Sequence, residues 1–169
     1  MTQATPGKGA RGGGEAKGPE HVKLVAKNRR ALFDYHVESR HEAGIALTGT
    51  EVKSLRAGKL QLSDAYAVGQ RGELVLLNAD IATYDPAGPA ANHAPKRTRK
   101  LLMHRREIDK LLERQQKDGY ALIPLSLYFK DGKAKVELGL CKGKQGADKR
   151  EAIAAREAKR EMDRGRRGK

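Results

Sequence analysis

Apolar and polar residues alternate along several short stretches of the chain, and this two-residue period is typical of half-buried β-strands. The first stretch begins at Leu32, where Phe33, Tyr35 and Val37 alternate with polar residues, and Gly44 predicts a bulge or bend in its continuation. Further strands are predicted at residues 65–68, 74–77, 120–123, 125–129 and 134–140, with hairpin turns at 69–72 and 131–132.

A helical period replaces the strand pattern in two places. Residues 50–56 predict a short helix with Thr50 as its N-cap and Gly58 just after its end. A longer helix is predicted from Leu101 or His104 to Lys117. Residues 85–95, rich in Pro and Ala, predict a loop, and Pro124 predicts a strand edge or a bulge.

These elements predict a mainly β fold, which we interpret as a small closed barrel of the oligonucleotide-binding type with two or three flanking helices. An open α+β sheet is the alternative. The barrel domain is predicted at residues 22–144, after a basic, glycine-rich and disordered arm at residues 1–21. Residues 145–169 form a basic tail with only two large apolar residues, so we expect its helix to form fully only on a partner.

The balance of charge points to a polyanionic partner. The chain holds 35 Lys and Arg against 21 Asp and Glu, a formal net charge of +14, which repels itself in a folded monomer. Residues 96–106 carry six cations and no acidic residue, and Arg97, Arg99 and Lys100 are among these cations. Cations near a helix N-terminus oppose the helix dipole, so the cluster is predicted to hold phosphates; a solvated face is the alternative.

The candidate chemistry favours binding over catalysis. Cys141 is the single cysteine, which indicates a reducing compartment, and no Cys or His pair has the spacing of zinc ligands. No apolar run is long enough to span a membrane or to act as a secretory signal, so we expect a cytoplasmic protein. We predict no catalytic residue, no metal and no cofactor; a hydrolase that uses Cys141 or scattered carboxylates is the alternative.

The chain resembles the SsrA-binding protein family, also called small protein B, in an ordered series of short motifs. They are Lys27-Asn28-Arg29-Arg30-Ala31, Glu42-Ala43-Gly44, Glu51-Val52-Lys53-Ser54-Leu55-Arg56-Ala57-Gly58, Ser63-Asp64, Arg97-Thr98-Arg99-Lys100-Leu101-Leu102, Arg106-Glu107-Ile108, Gly119-Tyr120, Leu127-Tyr128, Lys142-Gly143-Lys144 and Asp148-Lys149-Arg150. One such motif is weak, but their order over residues 22–150 makes the resemblance specific.

This resemblance implies a protein that binds the tRNA-like domain of transfer-messenger RNA and delivers it to stalled ribosomes for trans-translation. We expect a monomer, with one protein per RNA, and the lack of a long apolar run predicts no membrane association. The tail would enter the empty messenger channel of the small subunit and become helical there. A general binding module for structured RNA is the alternative function.

The resemblance also assigns residues. The set implied to bind RNA is Asn28, Arg29, Arg30, Glu42, Lys53, Arg97, Arg99, Lys100, Leu102 and His104. The set implied to meet ribosomal RNA is Lys142, Lys144, Asp148, Lys149 and Arg150. Glu42 would accept hydrogen bonds from a base or a sugar, with a salt bridge to a nearby Arg as the structural alternative. Three departures from the family pattern, at Thr50, Phe129 and Ala147, remove aromatic residues that some members carry.

Overall fold

The computed structural model describes residues 21–167, with side chains to residue 166. The disordered arm predicted at residues 1–21 therefore lies outside the described residues, except for its last position. The described part contains nine strands: β1 (Val22–Lys27), β2 (Tyr35–Ile45), β3 (Leu60–Gln61), β4 (Tyr66–Gln70), β5 (Glu73–Leu77), β6 (Asp80–Ile81), β7 (Arg99–Leu102), β8 (Ala121–Lys130) and β9 (Lys133–Gly143). Its α-helices are α1 (Arg29–Asp34), α2 (Gly49–Arg56), α3 (Gly88–Ala91), α4 (Arg105–Lys117) and α5 (Gly146–Arg167).

Seven of these strands form one sheet, in the order β1-β8-β4-β5-β7-β2-β9, and β8 also pairs with β9. All of its pairings are antiparallel. The short strands β3 and β6 form a separate pair. The prediction of a mainly β fold with helices around it is confirmed.

Both predicted hairpins are present, and both have tight two-residue turns. Arg71 and Gly72 join β4 to β5 with φ angles of 50° and 75°. Asp131 and Gly132 join β8 to β9 with φ angles of 49° and 78°. Positive φ at both turn positions matches the right-handed twist of the flanking strands, which is why Gly is placed second in each turn.

The first strand begins later than predicted, because residues 29–34 form a helix. Asn28 caps α1: its Oδ1 accepts a hydrogen bond from the Ala31 N–H at 3.0 Å. This cap outweighs the alternation of Phe33 and Tyr35 that predicted a strand from Leu32. The strand β1, which precedes α1, has no clear period and was not predicted.

Two further local predictions are wrong by a few residues. Thr48, and not Thr50, is the N-cap of α2, and the Glu51 carboxylate accepts from the Thr48 N–H at 2.8 Å. This is the reciprocal bond of a capping box. The bulge in β2 lies between Val37 and Ser39 rather than at Gly44.

The cationic cluster is divided between the segment before β7, β7 itself and the start of α4, where Arg105 and Arg106 lie. Arg99 to Leu102 form β7, and α4 begins at Arg105 after His104 as its N-cap residue. Leu101 therefore faces the sheet core and does not belong to the helix, which corrects the earlier of the two predicted starts. The predicted loop at residues 85–95 contains one 3-10 turn and the four-residue helix α3.

The core lies on both faces of β8, which explains the nearly continuous apolar run of this strand. On one face the main cluster includes Leu122 and Leu127, and on the other α1 covers Ile123, Leu125 and Cys141. A bulge between Pro124 and Ser126 confirms the prediction made from the proline.

The tail forms one long helix, α5, which begins directly after β9 and runs to the last described residues. Its exposed apolar residues are Ile153 and Met162, at 43% and 71% of their full accessible area. That the helix depends on a partner stays a prediction. Within residues 21–167, no helix is both long enough and apolar enough to cross a membrane.

Candidate nucleic-acid interface

One face of the sheet gathers several of the predicted RNA-binding residues. Gly44 lies opposite Leu102 in the β2–β7 ladder and opposite Lys135 in the β2–β9 ladder. Because side chains alternate along a strand, Glu42 and Lys100, each two residues away, lie on this same face. Tyr128 lies opposite Lys135 in the β8–β9 ladder and completes the set. We call these six residues, together with Lys130 on the same parity as Tyr128, the outer strand face.

Glu42 is held by three side chains of this face. The Tyr128 hydroxyl donates a hydrogen bond to Glu42 Oε2. Lys130 Nζ lies 3.7 Å from the same oxygen, and Lys135 Nζ lies 4.0 Å from Oε1. The ion-pair partners of Glu42 are therefore lysines, and not the arginine that the structural alternative assumed.

Leu102 lies beside this charged group with half of its surface exposed. Its relative accessibility is 51%, whereas Leu101 and Arg99, on the other face of β7, are almost fully buried. A Cβ at Gly44 would lie only 3.2 Å from the Leu102 Cβ, so the glycine leaves room for this side chain across the strand pair. An exposed leucine among lysines and a glutamate gives the face both an apolar contact and hydrogen-bonding groups for a ligand.

Arg99 does not belong to this surface, which corrects the prediction that it holds a phosphate. Its side chain is fully buried, and its Nε donates to Glu51 Oε1 at 2.8 Å. The remaining guanidinium bonds go to the carbonyls of Ala79, Pro95 and Arg97. With these partners Arg99 offers no donor to a phosphate, and its role is to hold the segment before β7 against α2.

Arg97 shares the same carboxylate. Its Nε and NH2 lie 3.1 Å and 2.7 Å from the two Glu51 oxygens, while 36% of its side chain stays exposed. Burial alone would raise the pKa of Glu51, but the hydrogen bonds from Arg97, from the Thr48 N–H and from Arg99 outweigh it and lower the pKa to about 2. Two cations of the cluster, Arg97 and Arg99, therefore stabilise the fold by binding Glu51, whereas the sequence predicted that the cluster as a whole holds phosphates.

Asn28 is also a structural residue in this geometry. It is 3% exposed, and its Nδ2 donates to the carbonyls of Leu62 and Pro124 at 2.9 Å and 3.0 Å. Its oxygen caps α1, and its nitrogen joins the start of this helix to β8 and to the segment after β3. The neighbouring cations Arg29 and Arg30 are exposed, and Arg30 pairs with Asp34 and Asp64.

Lys53 and His104 do not belong to the outer strand face. Lys53 is exposed on α2, and its Nζ lies 5.3 Å from the centre of the Tyr84 ring. His104 is exposed at the start of α4, two residues beyond Leu102. Lys100, on the face itself, forms an exposed ion pair with Glu73.

The predicted ribosome-binding residues form a second group where β9 passes into α5, which we call the tail root. Lys149 Nζ lies 3.5 Å from an Asp34 oxygen, and Asp148 lies 3.4 Å from His36 Nε2. Lys144 Nζ donates to the Leu32 carbonyl at 3.3 Å. The other two members of the group are exposed: Lys142, whose Nζ lies 5.4 Å from the centre of the Tyr120 ring, and Arg150.

Cys141 has no accessible surface and lies under α1. Burial raises the pKa of its thiol to about 11, so the reactive thiolate is scarce at neutral pH. Within residues 21–167, no group of three or more His, Cys, Asp or Glu side chains is placed to hold a metal ion.

Sequence reasoning missed Tyr128, Lys130 and Lys135 as partners of Glu42. The strand parity of β8 and β9 was visible, but pairing across three strands depends on register, which the sequence does not state. The Asp131-Gly132 turn offered a signal, because it fixes the register of the hairpin that brings Tyr128 opposite Lys135.

The sequence matches the family described as "SmpB protein" over residues 25–168. It is 56% identical over 155 residues to an SsrA-binding protein of Myxococcus xanthus, which covers 90% of this chain and 95% of the relative. It is 56% identical over 142 residues to an SsrA-binding protein of Thermobifida fusca, which covers 84% of this chain and 88% of the relative.

A solved structure is similar along most of the chain. It is described as "tmRNA-SmpB: a journey to the center of the bacterial ribosome", with a TM-score of 0.62, 48% identity, and coverage of 76% of this chain and 93% of that one. The shared motifs, the sheet with its helices and these matches lead to the same assignment: the chain belongs to the SmpB family of SsrA-binding proteins.

Proposed function

We propose that this protein binds transfer-messenger RNA and brings it to stalled ribosomes in trans-translation. The observation that carries the proposal is the family match over residues 25–168, together with the likeness to a chain described with tmRNA and the bacterial ribosome. The outer strand face is consistent with this role, because it joins an exposed leucine, a lysine-held carboxylate and more lysines than carboxylates.

We infer that the seven-stranded sheet is a closed barrel of the oligonucleotide-binding type. The pairings run from β8 through β4, β5, β7, β2 and β9, and the β8–β9 ladder returns to the first strand. This return supports the barrel over the open sheet. On this view the domain spans residues 22–144 and the tail residues 145–169.

We assign the tRNA-like domain of the RNA to the outer strand face. Glu42 accepts a hydrogen bond from a base or sugar, Leu102 packs on the RNA, and Lys100, Lys130 and Lys135 lie near phosphates. The exposed cations Arg29, Arg30 and Lys53, the partly exposed Arg97, and His104 extend the contact. Asn28 and Arg99 support the binding surface from inside the fold.

We assign ribosomal RNA to the tail root and to α5. Lys142, Lys144, Lys149 and Arg150 supply positive charge, and Asp148 holds the first turn, where its carboxylate accepts from the Gln145 N–H at 3.3 Å. We further propose that the protein acts as a monomer, without catalysis or a cofactor, in the cytoplasm where ribosomes translate.

The decisive experiment isolates the protein from cells and sequences the RNA that co-purifies with it. We expect strong enrichment of one structured RNA with a tRNA-like domain, and loss of that enrichment in a Glu42→Ala, Leu102→Ala double variant. Arg56→Ala, on the exposed end of α2, serves as the control. Recovery of bulk RNA in proportion to its abundance would instead support a general RNA-binding module.

A further inference from the structure

The Glu42 carboxylate is an unusual group on a surface meant for a polyanion. A free glutamate repels phosphates and loses rotamer freedom when it binds. Here two lysine Nζ atoms lie within 4.0 Å of its oxygens, which offsets the repulsion. These lysines do not fix the orientation of the Glu42 carboxylate, because ammonium groups at these distances are flexible point charges.

Tyr128 supplies that fixed direction. Its hydroxyl donates to Oε2, the oxygen that also faces Lys130, while the nearest cation to Oε1 is Lys135 at 4.0 Å, beyond hydrogen-bond distance. The tyrosine side chain has a rigid ring, and it is half-buried on a strand that pairs on both sides, with β1 and with β9. A carboxylate bonded in this way keeps one oxygen occupied and the other available.

We propose that Tyr128 is a positioning residue for RNA recognition, whose hydroxyl fixes the Glu42 carboxylate so that Oε1 can accept a hydrogen bond from the RNA. The inference rests on the proposed function and deepens it. The group that Oε1 reads is a donor of the RNA, either a base amino or imino group or a ribose 2′-hydroxyl, and never a phosphate. Tyr128 therefore contributes selectivity among RNAs more than general affinity.

The test is the variant Tyr128→Phe, which keeps the ring and removes only the hydroxyl. We expect the dissociation constant for an RNA with a tRNA-like domain to rise about threefold to tenfold, because one charge-assisted bond that orients the acceptor is lost. Binding to bulk RNA and the slope of log affinity against log salt concentration should not change, since no cation is removed.

A matched control exists in the same protein. Tyr120 lies near the tail root and its hydroxyl is the largest cause that lowers the pKa of Glu38, so Tyr120→Phe removes the same chemical group from a second tyrosine–glutamate pair. Its affinity for the tRNA-like RNA should equal that of the unmodified protein. The unfolding midpoints of both variants show whether either change acts through the fold.

A double-mutant cycle separates positioning from an independent contact. In a Glu42→Ala background, Tyr128→Phe should have no further effect on RNA binding, because the group that it orients is gone. Fully additive losses, an unchanged affinity in Tyr128→Phe, or an equal loss in Tyr120→Phe would overturn the inference. If the unmodified protein itself does not prefer the tRNA-like RNA, the proposed function fails first.

Discussion

At the scale of single residues, the buried carboxylate of Glu51 organises the cationic segment before β7. It has no accessible surface and receives hydrogen bonds from Arg97, Arg99 and the Thr48 N–H. Two guanidinium groups share one carboxylate, which is tolerable because Arg97 stays partly exposed and the buried Arg99 also donates to three carbonyl groups.

Replacing this carboxylate should therefore cost much of the stability. We expect Glu51→Gln to lower the free energy of unfolding by about 3–5 kcal/mol, since it leaves the buried Arg99 without its counter-charge. Chemical denaturation measures the change. Glu73→Gln, which breaks the exposed pair with Lys100, is the control and should cost less than about 1 kcal/mol. Equal effects of the two changes would show that the buried network is not special.

The lowered pKa of Glu51 predicts that the stability of the protein depends on pH. The pKa of Glu51 falls from its ordinary value of 4.5 to about 2 on folding, so its stabilising contribution is fully present above 4.5 and is lost as the pH falls through about 2. The difference in unfolding free energy between the unmodified protein and Glu51→Gln should thus shrink on acidification from pH 5 to pH 2. A difference that grows in acid would contradict the assigned direction.

At the scale of elements, Asn28 joins α1 to the sheet. Its side chain caps the helix and donates to two carbonyls, from Leu62 and from Pro124. We expect Asn28→Ala to lower the free energy of unfolding by about 2–4 kcal/mol, because a cap is lost and two buried acceptors lose their donor. Arg29→Ala, at the exposed neighbouring position, should change stability little. Lost RNA binding with unchanged stability would restore Asn28 as a direct RNA contact.

The elements also show how far sequence reasoning reaches. The 131–132 hairpin and the Pro124 bulge were predicted because they depend on local backbone preferences of Gly and Pro. Helix α1 was missed because the alternation of Phe33 and Tyr35 predicted a strand, although Asn28 caps the helix at Ala31. Arg99 was assigned to phosphate for a different reason: its partner Glu51 lies 48 residues away, and no local pattern announces that pairing.

At the scale of the whole molecule, the outer strand face and the tail root are two groups of cations to which we assign different RNA partners. We expect Lys100→Ala and Lys135→Ala each to reduce the salt slope of RNA binding by about one, if each lysine meets one phosphate. Lys59→Ala, beside the separate β3–β6 pair and paired with Asp85, is the control. Salt titrations of the dissociation constant give the slopes, and unchanged slopes in both variants would remove these lysines from the RNA contact.

The two groups of charge should also separate two functions. The tail root touches α1 through Lys149 and Asp34, while Glu42 lies on the opposite half of β2, with partners from β8 and β9. Because Lys149 and Asp148 of α5 pair with Asp34 and His36, at the other end of β2 from Glu42, removing residues 145–169 should leave the affinity for the tRNA-like RNA within about twofold of the full chain.

Ribosome rescue should disappear in the same truncated protein, because the RNA would arrive without the basic helix that we assign to the ribosome. A reconstituted assay that counts tagged peptides from a message without a stop codon measures this loss. A full-length variant with residues 151–169 shuffled keeps the net charge and tests whether sequence or charge matters in the tail. Loss of RNA binding on truncation would instead place the main RNA contact in α5, and the division between the two surfaces would not hold.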